Sequence, residues 1–196
     1  MMRIITGKAK GVRLATLPGD ATRPTSERVK EAIFSSLQFD LEGRRALDLF
    51  AGSGQLGLEA LSRGAASCTF IDAAPEAIAI VKENARKTGF FSDCKYLISD
   101  YRSYLRKAGK GEGFTLIFID PPYALGAVGD AVARILAVKI AKPGGLFVCE
   151  SGSPDLLSEI PTLRDKFDVL KEARYSVSYI TILRYRGEDD EGGEEK

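Results

Sequence analysis

Apolar and polar positions alternate in blocks along residues 46–149. Short apolar runs follow one another, and between them lie longer segments in which apolar positions recur every three or four residues. The short runs are typical of buried strands, and the longer segments of helices packed on a sheet. We predict strands at 46–50, 67–71, 95–99, 114–119 and 145–149, and helices at 56–63, 75–87, 101–108 and 128–138. This alternation predicts an α/β fold with a doubly wound, Rossmann-like, mostly parallel sheet.

The segments on either side of this block have different patterns. Residues 2–6 and 12–17 read as two short strands around a turn that carries Lys8 and Lys10. A helix over residues 26–37 follows, and we expect its apolar side to pack on the main domain while Arg28 and Lys30 point outward. Residues 167–175 and 178–186 predict an antiparallel hairpin at the sheet edge.

The pattern divides the chain into three parts. Residues 1–40 form a small appendage of hairpin and helix, and residues 41–187 form the main domain. Residues 188–196 read EDDEGGEEK, and this acidic, glycine-containing composition predicts a disordered tail.

Composition narrows the class of protein. The 196 residues are 44% hydrophobic, and no apolar run is long enough to span a membrane. The chain has three cysteines far apart and no histidine, which argues against disulfides, a zinc site or a histidine-based catalytic triad. We therefore expect a soluble, cytoplasmic protein without a secretory signal, a membrane partner or a metal.

The net charge of +1 hides an asymmetry, because the first thirty residues hold seven lysines and arginines against two acids. Such clustering favours a polyanionic partner, although a solvated charged surface is the commoner cause of charge runs. The candidates for nucleic-acid contact are Lys8, Lys10, Arg13, Arg23 and Arg28.

The run FTLIFIDPPY ends a predicted buried strand at Asp120, Pro121, Pro122 and Tyr123. Two prolines fix the backbone and leave carbonyls without neighbouring donors. Asp120 and the Pro121 carbonyl could then accept the two N–H bonds of an amino group on an aromatic ring, with Tyr123 stacked on the ring. The alternative is an ordinary turn, since Asp and Pro are common turn residues.

The turn after the first strand contains AGSGQLG, which has the G-x-G-x-x-G spacing of dinucleotide-binding proteins. Aspartates also mark four successive strand ends, at Asp48, Asp72, Asp100 and Asp120. These acids would oppose a pyrophosphate, whereas they favour S-adenosylmethionine (SAM), which carries a net positive charge. The predicted cofactor-binding residues are Asp48, Phe50, Ala51, Gly52, Ser53, Gly54, Asp72, Asp100 and Tyr101.

Two of these aspartates have a second interpretation. Asp72 suits the ribose hydroxyls and Asp100 the adenine amino group, but Asp100 could instead cap the helix that follows it. Asp48 could be a buried structural acid.

The motifs DLFAGSGQLGLEALSRGA and FIDPPY, together with RIITGKAKGVRL and RPTSERVKEAIF near the start, resemble those of the RsmD family of 16S ribosomal RNA guanine-N2 methyltransferases. The resemblance covers nearly all of residues 2–186. It implies methyl transfer from SAM to the N2 of a guanine in 16S rRNA or the assembling small subunit. We expect the protein to be a monomer.

Two alternatives stay open at this point. One is a DNA adenine-N6 or cytosine-N4 methyltransferase, although the chain has no sizeable segment for target recognition. The other is a non-catalytic RNA-binding protein on a Rossmann scaffold, against which the glycine loop and the DPPY turn argue.

Overall fold

A single seven-stranded sheet forms the frame of the molecule in the computed structural model, which describes residues 2–17, 27–109, 113–122, 126–175 and 178–187. The strands are β1 (Arg45–Asp48), β2 (Ser67–Asp72), β3 (Cys94–Ile98), β4 (Phe114–Ile119), β5 (Ala141–Ser151), β6 (Phe167–Tyr175) and β7 (Ser178–Tyr185). The helices are α1 (Glu27–Ser36), α2 (Gln55–Ser62), α3 (Pro75–Thr88), α4 (Tyr101–Lys107) and α5 (Ala127–Ala137).

The strand order is β3-β2-β1-β4-β5-β7-β6, and only β7 runs against the others. The predicted Rossmann-like sheet and its C-terminal antiparallel hairpin are therefore confirmed. The winding reverses between β1 and β4, the point at which sheets of this kind leave a crevice beyond the strand ends.

Each face of the sheet carries its own apolar core. One face packs against α1, α2, α3 and the N-terminal segment, and the other against α4, α5 and a 3-10 turn at Leu156–Glu159. Residues from both sides of position 40 share the first core, so the predicted division of the chain there stays a prediction.

The contact between α2 and β2 depends on Gly57. A Cβ at this position would overlap the Phe70 ring and lie 2.6 Å from Cys68 Sγ. The last glycine of the G-x-G-x-x-G motif therefore serves close packing of helix on strand rather than a bend in the loop.

The predicted N-terminal hairpin is present and short: Arg3 and Arg13 form an antiparallel bridge, and the amides of Ile4 and Leu14 donate to the Val12 and Met2 carbonyls at 3.0 Å. The segment also directs backbone donors to α2. The amides of Ile5 and Thr6 donate to the Glu59 carboxylate at 2.8 and 3.0 Å. The hairpin is therefore paired within itself and also bound to α2.

The outward position predicted for Lys30 is also wrong. Its side chain is buried, with Nζ 3.4 Å from the Glu59 carboxylate and donating to the Arg3 carbonyl at 2.5 Å. Burial lowers the pKa of Lys30, and the charge and hydrogen bond of Glu59 oppose that shift. Lys30 turns inward because Glu59 is itself buried and needs a counter-charge. Arg28 is exposed, as predicted.

The cysteines carry free thiols, as predicted, with Cys68 and Cys149 buried and Cys94 half-buried. Among the described residues, no helix combines the length and the apolar character needed to cross a membrane.

Candidate active site

A cavity of about 680 Å³ opens beyond the carboxyl ends of the strands, next to the reversal between β1 and β4. Its wall is strongly acidic. The described residues that line it include six carboxylates and no lysine or arginine. The six acids are Asp48, Asp72, Asp100, Asp120, Glu150 and Glu159.

Asp72 joins the turn after β1 to the start of α3. Its Oδ2 accepts from Gly52 N at 2.8 Å, and its Oδ1 accepts from Ala74 N at 2.9 Å. A carboxylate offers about four acceptor positions, so two remain for a ligand in the cavity. The backbone bonds fix the direction in which those positions point.

Asp48 lies under the glycine loop and is buried, as its structural interpretation predicted. Its Oδ2 accepts from Gly57 N at 3.1 Å and so ties the first turn of α2 to the end of β1. Burial raises the pKa of this carboxyl to about 7; the Gly57 amide lowers it and the charge of Asp72 raises it further. Asp48 also lines the cavity, so the two interpretations are compatible.

The glycine loop uses positive φ angles at Gly52 (52°) and Gly54 (77°). These angles let the backbone turn from β1 directly into α2. Phe50, Ala51, Gly52 and Ser53 line the cavity. Gly54 does not; it stands at the N-terminus of α2, where a Cβ would lie 3.1 Å from Val81.

Asp100 caps α4, the alternative interpretation, by accepting from Ser103 N at 2.9 Å through Oδ1. Hydrogen bonds from Ser103 lower the pKa of Asp100. This cap occupies one of the two carboxylate oxygens, and the residue lines the cavity as well. A cap at this position and a contact to a ligand do not exclude each other.

Phe50 and Tyr101 form an aromatic wall of the cavity, with ring centroids 5.1 Å apart. The Tyr101 hydroxyl donates to Asp130 of α5 at 2.7 Å. Asp130 also accepts from Arg102 and Arg134. Burial acts to raise its pKa, but hydrogen bonds from Arg134, Tyr101 and Arg102 hold it at about 2. The charged Asp130 thus fixes the orientation of the Tyr101 ring.

Asp120, Pro121 and Pro122 line the same cavity at the end of β4. The structure brings this turn together with the glycine loop, as a transfer site requires. Tyr123 and Arg23 lie outside the described residues. Lys8, Lys10, Arg13 and Arg28 are exposed, and their contact with RNA stays a prediction.

The cavity fits SAM better than a dinucleotide. A sulfonium and an ammonium would meet carboxylates, whereas a pyrophosphate would meet six acids and no basic residue among the described lining. Asp72 and Asp100 would hold the nucleoside end, and Phe50 with Tyr101 would provide apolar contact area. No cluster of acids and cysteines suited to a metal occurs in the described part of the chain.

Three residues that the sequence-based predictions did not include shape this region. Glu150 follows the fifth predicted strand directly, so the pattern that marked four aspartates at strand ends could have found it too. Asp130 and Glu59 lie within helices, where no local signal distinguishes them from solvated acids. Their roles follow from contacts made across the fold.

Comparisons with known proteins show the family to which the chain belongs. The family model described as "Conserved hypothetical protein 95" matches residues 2–184. The chain belongs to the RsmD family. It is 36% identical over 187 residues to the "Putative rRNA methyltransferase YlbH" of Bacillus subtilis, covering 95% of this chain and 100% of the relative.

Further relatives of this RsmD-family chain point the same way. It is 32% identical over 151 residues to "Ribosomal RNA small subunit methyltransferase D" of Haemophilus influenzae, covering 76% of this chain and 78% of the relative. The solved structure of "Putative methyltransferase yhhF" from Escherichia coli superposes with a TM-score of 0.82 at 29% identity, over 94% of this chain and 98% of that one.

Proposed function

We propose that this chain transfers a methyl group from SAM to the exocyclic N2 of a guanine in the 16S rRNA of the small ribosomal subunit. Its family membership makes it a SAM-dependent rRNA methyltransferase. What we propose beyond this is 16S rRNA as the substrate, guanine as the base and N2 as the methylated atom. The observation that supports it is the shared cavity, in which the Asp120-Pro121-Pro122 turn faces the same space as the glycine loop and Asp72.

The chain's own groups supply positioning and electrostatics. The Asp120 carboxylate and the Pro121 carbonyl accept the two amino hydrogens and draw the nitrogen lone pair out of conjugation with the ring. SAM, when bound, supplies an electrophilic methyl group on its sulfonium. Methylation would leave the nitrogen with a proton to lose, and Asp120, as an acceptor of an amino hydrogen, would take that proton. Alignment and preorganised acceptors are the main sources of acceleration in such a transfer.

RNA binding falls to other parts of the surface. The target base must leave its stack to reach a cavity beyond the strand ends, and the exposed basic residues of the N-terminal segment would hold the flanking phosphates. Phosphate contacts position the RNA, and the cavity selects the base.

The proposal is tested by mapping the product. Purified protein is incubated with labelled SAM and either naked 16S rRNA or small subunits that lack the modification, and the nucleosides are identified by mass spectrometry. We expect N2-methylguanosine. N6-methyladenosine or N4-methylcytidine, or methylation of DNA instead of RNA, would contradict the proposal.

Asp120→Ala provides the matched variant for this assay. It keeps both prolines but removes one acceptor that strengthens as positive charge develops on nitrogen. We expect a single-turnover rate on the order of a hundredfold lower, with a much smaller change in SAM affinity. A rate near wild type would place the chemistry elsewhere.

A further inference from the structure

Glu150 is a second carboxylate near Asp120, at the carboxyl end of the neighbouring strand. Strands β4 and β5 are parallel neighbours, and Ile119 is in register with Cys149. Asp120 follows the last residue of β4 directly, and Glu150 follows Cys149 within β5. Adjacent strands lie roughly 4.8 Å apart, so the two residues lie close together at the carboxyl ends of these strands. Both line the cavity.

The direction of Glu150 follows from the alternation of β5. Cys149 belongs to the apolar core on one face of the sheet, and Val148 to the core on the other. Because successive side chains point to opposite faces, Glu150 lies on the Val148 side. The N-terminal segment packs on that side and contributes Met2 to the cavity wall. Glu150 therefore lies on the same side of the sheet as the N-terminal segment, which is predicted to bind RNA.

The acceptors at this edge match one base. On its Watson–Crick edge guanine carries an amino group next to a ring N1–H, which makes three adjacent hydrogens. Adenine and cytosine carry an amino group next to a ring nitrogen that accepts. Asp120, the Pro121 carbonyl and Glu150 are three acceptors, so a guanine satisfies all of them. With adenine or cytosine a carboxylate would face a lone pair, which is unfavourable.

We propose that Glu150 accepts the N1–H of the target guanine and selects guanine over the other two amino-bearing bases. The inference rests on the proposed function, because it assigns a residue that determines base specificity to the same cavity. Glu150 is a contact for the base beside the reacting atom, whereas Asp120 contacts the reacting amino group itself.

The test compares two bases that both carry the 2-amino group. The modified guanine is located as above, and a short rRNA fragment is synthesised with guanine or 2,6-diaminopurine at that position. The ring N1 of 2,6-diaminopurine accepts a hydrogen bond instead of donating one. With wild-type protein we expect kcat/KM for guanine to exceed that for 2,6-diaminopurine by about ten- to a hundredfold, as for a hydrogen bond to a charged group.

Glu150→Gln is the decisive variant, since its amide can donate to an unprotonated N1. We expect this variant to lose activity on guanine. Its preference for guanine over 2,6-diaminopurine should become smaller or reverse. The control is Glu172→Gln, the same change at an exposed position on β6, which should leave both rates unchanged. If Glu150 had a purely structural role, Glu150→Gln would lower the rates on both bases equally and keep the wild-type preference for guanine. That result would overturn the inference, whereas the proposed function would still be supported by the methylation of guanine. If wild-type protein methylates no guanine, the proposed function fails and this inference fails with it.

Discussion

Asp48 shows how one buried carboxyl couples the site to its surroundings. It lies beneath the glycine loop, bonded to the Gly57 amide and close enough to Asp72 to feel its charge. Neighbouring acids of this kind repel one another, and a cationic ligand such as SAM would reduce that repulsion.

The pKa of Asp48 gives the protein a pH dependence with a definite sign. Burial raises that pKa from 3.8 to about 7. From pH 4 to 7 the unfolded chain loses this proton while the folded protein keeps it, so the free energy of unfolding falls as pH rises. The full effect is roughly 4 kcal/mol and is complete above pH 7.

Asp48→Asn tests this dependence, because the amide oxygen can still accept from Gly57 but cannot ionise. Urea unfolding of both proteins from pH 4 to 8 should show the variant becoming more stable relative to wild type by up to a few kcal/mol. A difference that stays constant with pH would mean that Asp48 titrates normally.

Helix α2 connects the glycine loop to the sheet, to the N-terminal segment and to α1. It follows the glycine loop, packs on β2 through Gly57, and presents Glu59 to the N-terminal segment and to α1. Arg63 adds a further contact to Glu59 at 2.9 Å. Through these bonds the segment bearing Lys8 and Lys10 is held on the helix that follows the glycine loop.

The buried Lys30–Glu59 pair can be tested by Lys30→Met. Removing one partner leaves Glu59 without one of its two cations, and we expect the free energy of unfolding to fall by on the order of 3 kcal/mol. Hydrogen exchange of residues 2–14 should speed up as well. Arg28→Met is the matched control on the exposed side of α1 and should change stability by less than about 0.5 kcal/mol. Equal stabilities of the two variants would count against the pair.

At the scale of the whole molecule, the cavity and the N-terminal segment differ in the sign of their charge. The described cavity lining has no basic residue, whereas the N-terminal segment exposes Lys8, Lys10 and Arg13. A cationic cofactor in the cavity and a polyanionic substrate on the N-terminal segment would each meet a surface of opposite sign.

Reversing the charge at Lys8, Lys10 and Arg13 should weaken RNA binding and flatten its dependence on salt, since fewer counterions are released. SAM affinity measured by calorimetry should not change. The control reverses Lys142, Arg164 and Lys166, which lie at the amino ends of β5 and β6, away from the cavity. An unchanged salt slope in the first variant would limit the N-terminal segment to a structural role.

The sequence by itself determined the succession of strands and helices along the chain, the glycine loop and the acids at the strand ends. These features are readable because hydrophobic periodicity and turn chemistry are local properties of the chain. The cavity at the point of reversal followed from that order together with a general rule for parallel sheets.

Tertiary structure alone decided which charges meet. Lys30 has the sequence context of a solvated lysine and turns inward because Glu59, on another helix, is buried. Asp130 fixes Tyr101 from α5, and the β4–β5 register places Glu150 beside Asp120. Each of these is a contact between residues far apart in sequence. Whether a charged side chain is solvated or buried depends on the partner that the fold brings to it, and local pattern does not contain that information.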